Sequence, residues 1–192
     1  MPATTILLVR HGETEWNRAR RYQGWSDSPL TLEGVAQAEA IGCRLRELPE
    51  AAGAAIVASP IGRARRTAEI IADCLGYTAP LRLDDRLREI SLGSWDGHDR
   101  REIRSRMGAD FEEFEWYFHT PDGESYDEFA GRIAGWLAEQ PDGPVIAVCH
   151  GVVTRILRGF YAGLPRAEAL RLPVPQDRIF RLAGGGIEEI AA

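Results

Sequence analysis

The sequence predicts an α/β protein: a three-layer sandwich in which a mostly parallel central sheet carries helices on both faces, with a small helical cap insertion. Three observations lead there. A short, uninterrupted apolar run followed by a loop and an amphipathic segment recurs along the chain, the pattern of strands buried on both faces and joined through helices. Those runs stop at arginine, histidine or serine beside glycine or proline, so polar side chains gather at the carboxyl ends of strands, where open α/β sheets bind ligands. Finally, 192 residues with 44% apolar content suffice for one substantial core. A single domain over 1–192 with a cap insertion at about 98–122 is the expected organisation.

Thr5-Ile6-Leu7-Leu8-Val9 is the first strand, and it delivers Arg10, His11 and Gly12 into a loop. Arg18 to Leu30 contains Gly24, Asp27 and Pro29 and reads as loop. Thr31 then has helix-capping chemistry and Glu33 puts a negative charge in the first turn, although Gly34 stands where a capping box would carry an acid or amide. The apolar stripe from Leu32 to Leu45 predicts a helix over 31–48, ended by Pro49. Ala54 to Ala58 is a second buried strand running into Ser59-Pro60, and Arg63 to Leu75 a second helix stopped by Gly76. Leu81 to Leu83 reads as a short third strand, and Leu87 to Ile90 leads into a glycine-punctuated turn ending at Gly97. The charged, aromatic stretch Arg100 to His119 predicts one or two helices lying over the sheet as the cap. Beyond the turn Pro121 to Glu124, a helix is expected over Ser125 to Leu137. The most apolar strand follows, Pro144 to Cys149, and then a helix from about Val152 to Tyr161. Arg178 to Leu182 and Ile187 to Ile190 form a terminal strand pair around Gly184-Gly185-Gly186, a turn and not a dinucleotide loop because no helix follows.

Composition removes several function classes. A net charge of −6 and a pI near 5.3 argue against a nucleic-acid partner, which needs a clustered basic face. All 23 basic residues are arginine, so chemistry that depends on a P-loop, Schiff-base or kinase lysine is excluded. Met1 to Thr4 lack the start of a leader, and no apolar stretch approaches the roughly 18 residues of a membrane span, so a cytoplasmic protein without a membrane partner is expected. Cys43, Cys74 and Cys149 are odd in number and widely spaced, the pattern of buried free thiols and not of a disulfide framework or a zinc site.

Three strand ends carry candidate groups: Arg10 with His11, Ser59 with Arg63, and His150. Parallel strands bring such ends to one sheet edge. Arg10-His11-Gly12-Glu13, continued by Thr14-Glu15-Trp16-Asn17, resembles the signature of the histidine phosphatase superfamily, the phosphoglycerate mutase-like proteins, whose histidine accepts a phosphoryl group. Ser59 to Ala68 resembles that family's second motif, which makes Arg63 the second phosphate-binding arginine and leaves Arg65 and Arg66 as solvent-facing. Val148-Cys149-His150-Gly151 resembles the late motif, whose histidine hydrogen-bonds the phosphoryl oxygens. Leu87 to Gly97 resembles the phosphatase-type motif with a glutamate proton donor, here Glu89, and Tyr22 to Thr31 resembles the loop after the first motif, which brings Gln23 and Gly24 to the phosphate. Glu124-Ser125 resembles the element that opens the helix after the cap. The resemblance implies a metal- and cofactor-independent phosphomonoester hydrolase acting on a small-molecule substrate, its oligomeric state open, with a homodimer among the options.

The residue types suit that chemistry on physical grounds. A phosphoryl group in flight spreads negative charge over its oxygens, and Arg10, Arg63, His150 and the Asn17 amide can cage it, with the backbone of Gly151 beside them. His11 must attack as a neutral imidazole, and neighbouring arginines keep it so. Three rivals stand beside this reading. Cys149 to Arg155 satisfies the C-x5-R spacing of cysteine-dependent phosphatases, although arginine is abundant and Val152-Val153 suits a helix or strand end better than a tight cradle. A phosphoglycerate mutase would return the phosphoryl group to another hydroxyl, but the chain is short and Ile90 to Trp95 is phosphatase-like. A degenerate binding module would lack an essential group, and none is missing. His98 and His119 are expected at the surface, and Trp116, Tyr117 and Phe118 to pack the cap or to select the alcohol moiety over the cleft.

Overall fold

The computed structural model describes residues 4–108 and 114–192. Along the chain these form β1 (Thr4–Arg10), α1 (Glu15–Arg18), α2 (Leu32–Arg46), β2 (Ala55–Ala58), α3 (Gly62–Leu75), β3 (Arg82–Leu83), α4 (Arg100–Met107), α5 (Tyr126–Ala138), β4 (Gly143–Cys149), α6 (Gly151–Ala162), α7 (Arg166–Ala169), β5 (Arg178–Ala183) and β6 (Gly186–Ala191). The strands make one sheet in the order β3-β2-β4-β1-β5-β6. β3, β2, β4 and β1 pair in parallel, and β5 and β6 close the far edge as an antiparallel hairpin. The expected α/β architecture is therefore the observed one. Part of the expected cap, residues 109–113, lies outside the described residues, as do residues 1–3.

Successive side chains of a strand point to opposite faces, and here both faces are covered. Ile6 and Leu8 of β1 pack with Val145 and Ala147 of β4 against Ile133 and Trp136 of α5 and Val153 and Ile156 of α6. Leu7 and Val9 pack with Ile146 and Val148 against Ile41 and Leu45 of α2 and Ala64, Ala68 and Ile71 of α3. This double burial is why the strands read as continuous apolar runs instead of alternating ones. Among the described residues no helix is long and apolar enough to cross a membrane.

Two short helices, α1 and α7, were not expected; four residues are too few to show a helical period. The thiols also depart from expectation. Cys43 is exposed and Cys74 half-buried, and only Cys149 is buried. Ile41 and Leu45 define the buried stripe of α2, and position 43 falls on the opposite side of the turn.

The missing capping box of α2 has a steric cause. The Thr31 hydroxyl accepts the Gly34 N–H at 3.0 Å. A Cβ at Gly34 would stand 2.0 Å from the Glu13 carbonyl oxygen, and one at Gly12 would stand 2.2 Å from that of Gly34. These two glycines let the loop after β1 lie directly on the first turn of α2. Gly34→Ala should therefore lower stability by about 1–3 kcal/mol, as overpacking does, seen as a lower urea midpoint. Gly131→Ala on α5, where an added Cβ meets nothing within 4 Å, should be neutral or stabilising by up to about 1 kcal/mol.

Candidate active site

The parallel register sets Arg10 opposite Cys149 and Ala58 opposite Val148. The ladder then runs one residue further: His11 N–H donates to the Cys149 carbonyl at 3.0 Å and Ser59 N–H to the Val148 carbonyl at 3.0 Å. His11, Ser59 and His150 thus meet at one sheet edge, under a cavity of about 340 Å³. Arg10, His11, Arg63, Glu89 and Gly151 line it, with Asn17 and Gln23 beside them.

His11 is buried, and its Nδ1 lies 2.8 Å from the Gly12 carbonyl oxygen. A carbonyl can only accept, so Nδ1 carries the proton and Nε2 presents its lone pair. Arg63 Nε donates to that lone pair at 3.2 Å. The His150 ring lies 5.2 Å from the His11 ring, its Nε2 2.7 Å from the Ser59 hydroxyl, and its buried Nδ1 has no partner among the described residues. Both imidazoles are held well below the usual histidine value, first by burial and then by Arg63, with Arg10 adding to the effect.

Arg63 is 1% exposed, and each of its three guanidinium nitrogens has a partner. Nη1 donates to the Ser26 carbonyl at 2.8 Å and Nη2 to that of Gly24 at 2.9 Å, with Asp27 at 3.5 Å from Nη1. Arg10 donates through Nη1 to the Val174 carbonyl, while its buried Nε has no acceptor among the described residues. Burial among other arginines brings Arg10 down to about 10, partly offset by Glu89, and it stays charged at neutral pH.

Glu89 is buried, its Oε2 accepting the Val152 N–H at 3.1 Å and its Oε1 the Ile90 N–H at 3.2 Å. Burial pushes its carboxyl up; the two N–H groups and the arginines pull the other way and do not win. A Cβ at Gly151 would lie 3.6 Å from Arg10 Nε and 3.7 Å from Glu89 Oε2, so the glycine leaves open the space between these two groups.

The remaining expected residues divide. Asn17 Oδ1 accepts from Thr14 N–H at 3.2 Å and from Gln176 Nε2 at 3.1 Å, a capping role that leaves its NH2 group for the cavity. Gln23 donates to the Thr14 hydroxyl at 2.7 Å, and its buried Oε1 has no partner among the described residues. Gly24 is not among the cavity-lining residues: its N–H goes to Asp96 Oδ1 at 3.0 Å and its carbonyl to Arg63, so it supports the site from behind. Arg65 and Arg66 pair with Glu69 at the surface, His98 lies 3.1 Å from Glu102, and His119 is exposed. Of the cap aromatics, Tyr117 lines the cavity, Trp116 is core, and Phe118 packs edge-on to Tyr126.

The cysteine mechanism is corrected by the structure. Cys149 is the last residue of β4, and its side chain belongs to the core cluster on the α5/α6 face, where burial drives its thiol far up. It cannot form a thiolate at the cavity. Other contributors went unread in the sequence as cavity residues: Arg21, Arg100, Arg155 and Val174 line the cavity too, and Gln176 holds the His11 carbonyl at 3.1 Å. The C-x5-R match did pick out Arg155, for the wrong chemistry.

The sequence profile of the histidine phosphatase superfamily (branch 1) matches residues 6–186, and the chain belongs to that superfamily. It is 38% identical to the probable phosphoglycerate mutase GpmB of Salmonella arizonae, the alignment covering 97% of this chain and 91% of that one. Among solved structures it is similar to Bacillus stearothermophilus YhfR, with a TM-score of 0.81, 34% identity, and 98% and 96% of the two chains covered. It is also similar to mycobacterial glucosyl-3-phosphoglycerate phosphatase, solved with VO3, with a TM-score of 0.76, 30% identity, and 98% and 96% covered.

Two measurements follow from the buried imidazoles. In the unliganded protein, NMR shifts of His11 and His150 should stay those of neutral rings as pH is lowered through 6.5, the ordinary histidine value. Because the unfolded chain takes up these protons near 6.5 and the folded one does not, stability contributed by the two rings should fall as pH drops below that value. His11→Gln should flatten the dependence in urea denaturation.

Proposed function

We propose that the protein is a phosphomonoester hydrolase working through a phosphohistidine on His11, with Glu89 as proton donor. The observation that carries this reading is the unprotonated His11 Nε2 set beside the Arg63 guanidinium, with a carboxyl of raised proton affinity on the far side of Gly151. In the first half-reaction Nε2 attacks phosphorus, the bond to the leaving oxygen breaks, and Glu89 gives that oxygen its proton. In the second, water attacks phosphorus as its proton passes to Glu89, the P–N bond breaks, and neutral His11 returns. Arg10 Nε and His150 Nδ1, both without partners among the described residues, are the donors for the phosphoryl oxygens. His150 can donate from Nδ1 when the Ser59 hydroxyl donates to its Nε2. Asn17, Gln23 and the N-terminus of α6 at Gly151 complete the cage.

The charge of the cavity indicates the substrate class. Five arginines line it (Arg10, Arg21, Arg63, Arg100, Arg155) against one carboxylate, Glu89, in a chain of net charge −6. Arg21, Arg100 and Arg155 have no ion-pair partner among the described residues. A phosphate dianion leaves positive charge over, so the preferred substrate is a small phosphomonoester with a second anionic group. Such esters are in keeping with the names of the mutase and phosphoglycerate-derived phosphatase relatives. Transfer to a second hydroxyl, as the mutase name of the relatives indicates, is the competing outcome.

A screen of phosphomonoesters, scored for inorganic phosphate and for phosphoryl transfer, tests this. Wild type should release phosphate, tolerate EDTA, bind vanadate, and carry acid-labile label on His11; His11→Ala should lose all turnover. Dominant transfer, or label elsewhere, would overturn the reading. Arg155→Met and Arg100→Met should each raise KM for phosphoglycerate about tenfold, the worth of one charge-assisted hydrogen bond, and leave p-nitrophenyl phosphate nearly unchanged.

A further inference from the structure

We propose that Arg132, on α5 and not among the cavity-lining residues, is a positioning residue that fixes Glu89 against the leaving-group oxygen; this rests on Glu89 being the proton donor. Glu89 sits on a segment with no strand or helix to hold it: a short 3-10 turn ends at Leu87, and residues 88–92 are irregular. Their carbonyls need donors. Arg132 supplies two of them, with Nη1 donating to the Arg88 carbonyl at 2.7 Å and Nη2 to that of Glu89 itself at 3.0 Å, and Nη1 also takes the Arg86 carbonyl within the turn at 2.6 Å.

The fork is anchored in turn. Glu124 takes Arg132 Nε at 2.7 Å and Nη2 at 2.9 Å, and both side chains are largely buried. Glu124 also grips the other end of the segment, accepting Ser91 N–H at 3.3 Å while its own N–H donates to the Ser91 carbonyl at 3.0 Å. Trp25 Nε1 donates to the Glu89 carbonyl from the cleft-side loop at 2.8 Å. The backbone of the proposed proton donor is therefore tied on three sides, and among the described residues Arg132 alone reaches the carbonyls of Arg86, Arg88 and Glu89 together. A lysine has no planar fork and could not serve three carbonyls and a bidentate carboxylate together.

Proton donation matters most when the leaving group is a poor one, and this separates positioning from mere structural support. Across a series of phosphate esters, Glu89→Gln should lose far more kcat on alkyl than on p-nitrophenyl phosphate. Arg132→Met should share that signature, losing about 100-fold in kcat on alkyl esters, the cost of roughly 1 Å of misplacement, and only severalfold on p-nitrophenyl phosphate, with KM little changed. Arg132→Lys should fall between, and Arg132→Met with Glu89→Gln should be no worse than Glu89→Gln alone. If Arg132→Met does not fold, Glu124→Gln should show the same leaving-group dependence in milder form. Equal losses on all esters, or a loss confined to KM, while Glu89→Gln keeps its steep dependence, would overturn the role of Arg132. A flat response in Glu89→Gln would instead remove the reading of Glu89, and this proposal with it.

Discussion

The site depends on a hydrogen bond from one buried guanidinium to one neutral imidazole. Arg63 Nε–H caps the lone pair of His11 Nε2, and that geometry requires an arginine at 1% exposure, a position where an unsolvated charge would cost several kcal/mol. The carbonyls of Gly24 and Ser26 and the Asp27 carboxylate take the place of water around it. The loop that supplies them must then be held with its carbonyls inward, and Asp96 does so by accepting the N–H groups of Gly24 at 3.0 Å and Ser26 at 2.7 Å. Gly24 can carry no side chain, since a Cβ would stand 2.2 Å from Asp96 Oδ1. One buried charge thus dictates the composition of a loop distant in sequence.

Burial also sorts the protonation states. It favours the uncharged form of every titratable group, so it lowers the affinity of His11 and His150 for protons and raises that of Glu89. A base that keeps no proton and an acid that holds its proton more tightly are what the proposed first half-reaction requires. The arginines stay charged through the same burial because their ordinary value is so high. A cavity of cations around a neutral imidazole is then held by the fold's packing, and the missing negative charge is what the proposed phosphomonoester would bring.

Much of this was legible in the sequence, for identifiable reasons. β1, β2 and β4 are buried on both faces, so their apolar runs stand out, and their ends display Arg10, His11, Ser59 and His150 without further inference. Glu89 was legible only through motif resemblance, because no strand or helix carries it. Arg132 and Arg100 were not distinguishable among 23 arginines, and Arg155 stood out only through a spacing that points to another chemistry, since what marks all three is which carbonyl or cavity each one reaches, across separations such as the 43 residues between Arg132 and Glu89. The anomaly at Gly34 was visible, but its cause, the Glu13 backbone lying against it, is a tertiary fact.

The absence of lysine takes on structural meaning here. The segment Leu172-Pro173-Val174-Pro175 has two residues without an N–H, so it is rich in acceptors and poor in donors. Its successive carbonyls at Leu172, Pro173 and Val174 receive Arg155, Arg158 and Arg10 in turn. Arg63 does the same for Gly24 and Ser26, and Arg132 for Arg86, Arg88 and Glu89. Guanidinium groups, which only donate and do so in a flat fork, thereby replace the missing ladder partners of irregular backbone around the cleft. Arg10 shows how this bears on the proposed catalysis: one nitrogen fastens it to the loop, and Nε faces no acceptor among the described residues, as the proposed donor to a phosphoryl oxygen must. The same side-chain chemistry that builds the walls therefore also charges the interior.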